Sequence, residues 1–136
     1  GTGFTITGGV AGAWADTARD GEGFLLDVAW VGDDRYLIVS FYTFDNMGHQ
    51  TWLIGVGLID GDTATVNLEA PTGAMWGMSF DPNDVSKTPW GTAVFKITSC
   101  GNGTAVLTPN TNMMGMGFSD LDYVIARITQ TDIACP

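Results

Sequence analysis

Strand-like runs recur along this chain about every 10–15 residues, separated by turn-forming residues, and no stretch keeps a convincing helical period. That recurrence restricts the chain to an all-β fold. Eight runs are readable: 11–17, 23–32, 35–45, 50–60, 63–70, 90–100, 103–109 and 118–130. In the second, Phe24, Leu26, Val28 and Trp30 share one face and Asp27 takes the other, the alternation of a half-buried strand. In the fifth, Ala64, Val66 and Leu68 alternate with Thr63, Thr65, Asn67 and Glu69. The third differs. From Tyr36 through Phe44 it is β-branched and aromatic on both sides, which predicts a strand covered on both faces.

The connections sort into two classes. Gly32-Asp33-Asp34, Asp60-Gly61-Asp62 and Gly101-Asn102-Gly103 are short, polar and built from residues that tolerate tight hairpins. The others, 17–22, 45–50, 71–89 and 110–117, are longer; 71–89 holds three of the five prolines and reads as one long irregular insertion. If consecutive strands are antiparallel neighbours, turns alternate between the two ends of the sheet. All short turns then lie at one end, the tight end, and all long loops at the other, the loop end. Eight antiparallel strands with one buried face close most economically into an up-and-down barrel, which leaves no exposed edge; a two-sheet β-sandwich is the alternative. The chain's 136 residues suit a single domain, with 1–10 as an extended N-terminal arm and 11–136 as the barrel.

Composition removes several functions. Five Lys+Arg against a net charge of −10 leave no footprint for a nucleic-acid backbone. No apolar run approaches the roughly 18 residues of a membrane span. Cys100 and Cys135 are not spaced as a zinc or redox motif and read as one disulfide tying down the C-terminus, with two buried free thiols as the alternative. A disulfide, few lysines and abundant Gly, Thr and Asn point to a secreted or periplasmic protein. Asn102-Gly103-Thr104 has the form of a glycosylation sequon within a tight turn.

Gly12-Ala13-Trp14 in the first run resembles the G-x-W that opens avidin-like and lipocalin-like barrels. A longer pattern begins with Trp14, Arg19-Asp20-Gly21-Glu22-Gly23-Phe24, Tyr42-Thr43-Phe44-Asp45 and Trp52-Leu53-Ile54-Gly55-Val56-Gly57. It continues with Phe80-Asp81-Pro82, Trp90-Gly91-Thr92, Cys100 and Cys135. This pattern is similar to an uncharacterised β domain of secreted bacterial proteins. The resemblance covers most of the chain, implies one secreted domain and carries no activity with it. The methionines stand outside the pattern.

All six methionines fall in loop-end connections, in Asn46-Met47-Gly48-His49, Met75-Trp76-Gly77-Met78 and Met113-Met114-Gly115-Met116-Gly117, together with the only histidine, His49, and with Trp76. In a meander these three loops converge on one rim. Thioethers and an imidazole suit a soft ion such as Cu(I), with His49, Met113, Met114 and Met116 as its candidate ligands, and Trp76 can cover a cation with its ring face. The same eight residues equally make an adaptable rim for a small apolar ligand or a protein partner, or simply fill an irregular barrel mouth.

Asp16, Asp20, Glu22, Asp45, Asp81 and Asp84 also lie near the loop end. Paired carboxylates there suit glycoside hydrolysis or Ca²⁺, whereas turn carboxylates ordinarily cap local backbone. Arg19 beside Asp16, Asp20 and Glu22 reads as a salt-bridge cluster that stiffens the first loop. Nucleophilic catalysis has little support, since His49 has no Ser or Cys motif to serve. The expected function is a non-catalytic extracytoplasmic binding module that uses its loop end for a small apolar ligand or Cu(I). The alternatives are a self-assembling structural subunit, hence a homo-oligomer, and a carboxylate enzyme acting on carbohydrate.

Overall fold

A computed structural model describes residues 3–130. Its strands are β1 (Gly12–Ala15), β2 (Gly23–Val31), β3 (Asp34–Phe44), β4 (Gln50–Asp60), β5 (Thr63–Thr72), β6 (Ser86–Ser99), β7 (Asn102–Pro109) and β8 (Leu121–Arg127), with one short helix, α1 (Thr111–Gly115), before the last. Each strand pairs antiparallel with the next, and β8 returns to β1 through Trp14 opposite Arg127 and Ala15 opposite Ala126. The sheet is a closed up-and-down barrel. Closure follows from the period-two pattern. Every strand offers one apolar face, and a ring lets all eight faces share one core while no strand keeps an unpaired edge.

The tight end holds the turns after β2, β4 and β6, and the loop end holds those after β1, β3, β5 and β7. Residues 3–10, expected as an arm, do not project from the barrel. Ile6 and Val10 are fully buried in its core. The Ile6 N–H donates to Gly61 O at 2.9 Å, a 3₁₀ turn spans Gly8–Val10, and the Trp14 indole N–H donates to Val10 O at 2.9 Å. Burial of two branched side chains outweighs the freedom of a loose segment, so the N-terminal residues stopper the tight end.

The insertion expected at 71–89 is shorter than the prolines suggest. β5 runs to Thr72 and β6 starts at Ser86, so the irregular part is 73–85, with 3₁₀ turns at Gly77–Ser79 and Pro82–Asp84. A β-bulge makes this possible: Leu68 pairs with Gly91 and Glu69 with Pro89, leaving Trp90 as the extra residue. The hairpin stem continues beyond it with Pro71 opposite Lys87. In 110–117, α1 replaces irregular chain, capped by Asn110 Oδ1, which accepts from the Met113 N–H at 2.9 Å.

Beneath the loop end the core is aromatic. Phe24 and Phe41 stack with centroids 4.2 Å apart, and Tyr123 meets both edge-on. The outside of the barrel is uneven. Thr65, Asn67, Lys96, Thr104 and Thr108 line the outer side of β5–β7. On β3, predicted to be covered on both faces, the inner face is buried, but no described residue covers the outer face: Ile38 and Tyr42 are 39% and 47% exposed. Cys100 is buried where β6 ends, and no described cysteine is a free thiol. Cys135, and with it the expected Cys100–Cys135 bridge, lies outside the described residues.

Candidate functional site

The loop end opens into a cavity of about 490 Å³. Phe41, Leu107 and Tyr123 form its floor; Trp90 and Phe118 form one side; Arg19, Asp20, Glu22, Thr43, Phe44 and Asp45 stand around the rim. That volume suits a small organic molecule.

Glu22 organises the polar side. It sits where the first loop enters β2, and its side chain is only 12% exposed. Oε1 accepts from Arg19 Nε at 2.5 Å, while Oε2 accepts from the Tyr123 hydroxyl at 3.2 Å and from the Thr43 hydroxyl. The carboxylate is therefore taken up by the protein's own donors. The Arg19 guanidinium also lies 5.0 Å above the Tyr123 ring, and its hydrogen bond to Glu22 raises its pKa further. Burial, reinforced by the Glu22 charge, pushes the Tyr123 phenol up to about 12, so it stays a neutral donor at physiological pH.

Trp90 is the exception to this satisfied network. It is 4% exposed, and its indole N–H is buried with no hydrogen-bond acceptor among the described residues. An orphaned donor of this kind costs about 1–3 kcal/mol. The bulge explains its place. The extra residue resets the alternation of β6, so Trp90 joins Ala93, Phe95 and Ile97 on the inner face. Gly91 follows with φ +154°, and a side chain there would collide with Thr108 O. Asn110 then locks the bulge: its N–H donates to Trp90 O at 2.8 Å and its side-chain amide to Pro89 O at 2.9 Å. Phe118 packs edge-on against the indole at 5.5 Å.

The six methionines, His49 and Trp76 are all at the loop end, as the meander requires, but none of these eight lines this cavity, whereas Arg19, Asp20, Glu22 and Asp45 do. Met113 is buried in the core at the top of the barrel. Met47, Met75, Met78, Met114 and Met116 are exposed, and Trp76 is 97% exposed. The loops carrying Met47 and Met116 do meet, because the Asn46 side chain fills the space a Cβ on Gly117 would need. His49 turns to its own loop, with Nδ1 3.4 Å from Asp45 Oδ2. The backbone N–H groups of His49 and Met47 donate to Asp45 Oδ1, and the first of these does most to hold the Asp45 carboxyl below its ordinary pKa. Among the described residues, no three His, Cys, Asp or Glu side chains cluster as a metal site.

Three of the six loop-end carboxylates, Asp16, Asp45 and Asp81, cap backbone. Asp16 accepts from Ala18 N and Val124 N, and Asp81 accepts from Asn83 N. Arg19 and Glu22 pair as the salt-bridge reading expected. The sequence alone makes that pair a loop stiffener and gives Trp90 no role; the cavity joins both. The available signal was Pro89-Trp90-Gly91, a proline and a glycine bracketing a large aromatic inside a strand, which marks a bulge.

Compared with protein-family models, curated proteins and solved structures, the chain matches none.

Proposed function

We propose that this domain is a non-catalytic binding module that takes a small, neutral, largely apolar molecule into the mouth of the barrel. The observation that carries this reading is a loop-end cavity of about 490 Å³ lined by Trp90, whose buried indole N–H has no acceptor among the described residues. Such a donor asks for an acceptor oxygen, and Phe41, Phe44 and Phe118 offer flat apolar walls around it. Charge selects a neutral ligand. Arg19 is balanced by Glu22, while Asp20 and Asp45 on the rim oppose an anion. Glu22 positions Arg19 and Tyr123 rather than serving as a free base, which favours binding over carboxylate catalysis. The residue pattern and the expected Cys100–Cys135 bridge support an extracytoplasmic setting.

The test follows the five tryptophan indole N–H resonances by nuclear magnetic resonance during titration with neutral aromatic carbonyl probes, benzamide and acetophenone first. A saturable downfield shift of the Trp90 resonance is expected, with binding about tenfold weaker in Trp90→Phe, the worth of one hydrogen bond. Binding that leaves Trp90 and Tyr123 unperturbed overturns the assignment. A soft-metal reading keeps one observation in its favour, the exposure of Met114 and Met116 on the loop beside Met47. Equal, weak Cu(I) uptake by wild type and a Met113/Met114/Met116→Leu variant would dismiss it.

A further inference from the structure

The outer wall of β3 and β4 takes no part in the mouth. Its pairing places Tyr36 opposite Leu58, Ile38 opposite Val56 and Tyr42 opposite Trp52, all on the outer side. Leu58, Val56 and Trp52 are 52%, 54% and 47% exposed. We propose that this wall is the docking surface for a second copy of the same chain, forming a two-fold dimer with the two β3–β4 walls face to face.

Three observations select that occupant. First, the chain distinguishes solvated wall from covered wall. On the outside of β5–β7 threonines, asparagine and lysine surround only two half-exposed valines, Val94 and Val106, and no aromatic, so the dense run of aromatic and branched side chains on β3–β4 is not its ordinary way of facing water. Second, residues 36–44 and 50–58 contain no charged residue at all, in a chain of net charge −10. Two copies repel each other over most orientations and approach with least electrostatic cost through this uncharged strip; an anionic lipid surface is disfavoured by the same charge. A wall that is uncharged and mostly apolar, with Ser40 and Gln50 as its polar members, also complements itself, as a two-fold contact requires. Third, the exposed parts of these six side chains amount to roughly 500 Å², and the neighbouring Phe44, 44% exposed, extends the patch toward the ~800 Å² per partner of a stable interface. A groove lined by Tyr42, Phe44 and Trp52 at the upper end of the wall gives a side chain of the second copy somewhere to seat. Two sheets meeting this way pack about 10 Å apart at a shallow angle, as in a sandwich.

Light scattering and sedimentation equilibrium on the intact chain test this directly. At about 100 μM, well above a micromolar dissociation constant, twice the monomer mass is expected. Raising the salt should increase the dimer fraction, because screening relieves the mutual repulsion of two acidic barrels. Val56→Lys and Ile38→Lys, each placing a charge in the strip, should halve the mass, while Thr104→Lys on the outer side of β7 should leave it unchanged. Far-ultraviolet circular dichroism checks that each variant folds. Should the lysine variants misfold, Val56→Thr, which removes apolar surface without adding charge, should still weaken dimerisation. A wild-type monomer at that concentration overturns the proposal, as does a dimer that survives folded Val56→Lys. Flotation of the wild type with neutral phosphatidylcholine vesicles would also overturn it, by assigning the wall to a lipid surface.

Discussion

At the tight end of the barrel, Ile6, Val10 and Trp14 are wholly buried and the indole N–H of Trp14 is hydrogen-bonded to Val10. At the loop end, Arg19, Glu22 and Tyr123 surround an open cavity, and the indole N–H of Trp90 has no acceptor among the described residues. Both ends use a buried tryptophan near a strand terminus. One is satisfied by the chain's own N-terminal segment; the other is left short by one hydrogen bond. Stability therefore concentrates where the barrel is stoppered, and the proposed binding site lies where its packing is incomplete.

The largest expected effect tests the stoppered end. Trp14→Ala should cost about 3–5 kcal/mol, read as a lowered urea midpoint, because it empties a fully buried site and removes the bond to Val10. Any folded fraction should still bind at the mouth; lost binding at unchanged structure would mean that the two ends are coupled. Next, Glu22→Ala should cost about 1–3 kcal/mol and abolish mouth binding, since it deprives Tyr123, Thr43 and Arg19 of their common acceptor. Binding that persists in this variant would place the ligand elsewhere.

Alkaline pH probes the same network. The Tyr123 phenol, raised from 10.0 to about 12 in the folded chain, keeps its proton more tightly there than in the unfolded chain. Its contribution is fully present below pH 10 and is lost as pH rises through about 12. The melting temperature should fall by several degrees across that interval, and by less in Tyr123→Phe. A smaller change is expected for Trp90→Phe. Losing an unsatisfied N–H offsets the lost volume, so stability should move by no more than about 1 kcal/mol while ligand affinity drops. The smallest belongs to the exposed methionines. Leucine at Met47, Met75, Met78, Met114 or Met116 should shift stability by about 0.5 kcal/mol or less each. A substantial shift would show a packing role that their exposure does not suggest.

Much of this architecture was legible from local pattern. Alternation in 63–70, and Gly with Asp or Asn at the three short turns, located strands and hairpins because side-chain period and turn tolerance are local properties. The meander then sorted the loops, and the methionines and His49 are indeed at one end. Their gathering at one end did not make them the cavity. Whether a loop side chain turns inward depends on the neighbouring loop, and here Met113 went into the core while the other five methionines stayed exposed. The doubly apolar run 36–44 predicts a strand covered on both faces; the described residues cover only its inner face, and that mismatch motivates the dimer.

By itself, the sequence determined an eight-stranded antiparallel meander, its two unlike ends and the acidic, sparsely charged character of the chain, because each follows from residue periodicity, turn chemistry or composition. Only the tertiary structure decided that residues 3–10 plug the tight end, that a bulge rotates Trp90 inward and that Glu22 gathers Arg19, Thr43 and Tyr123 around one carboxylate. Those outcomes depend on closing the ring. Glu22 and Tyr123 are 101 residues apart in sequence, and their contact exists only once β8 has returned to β1.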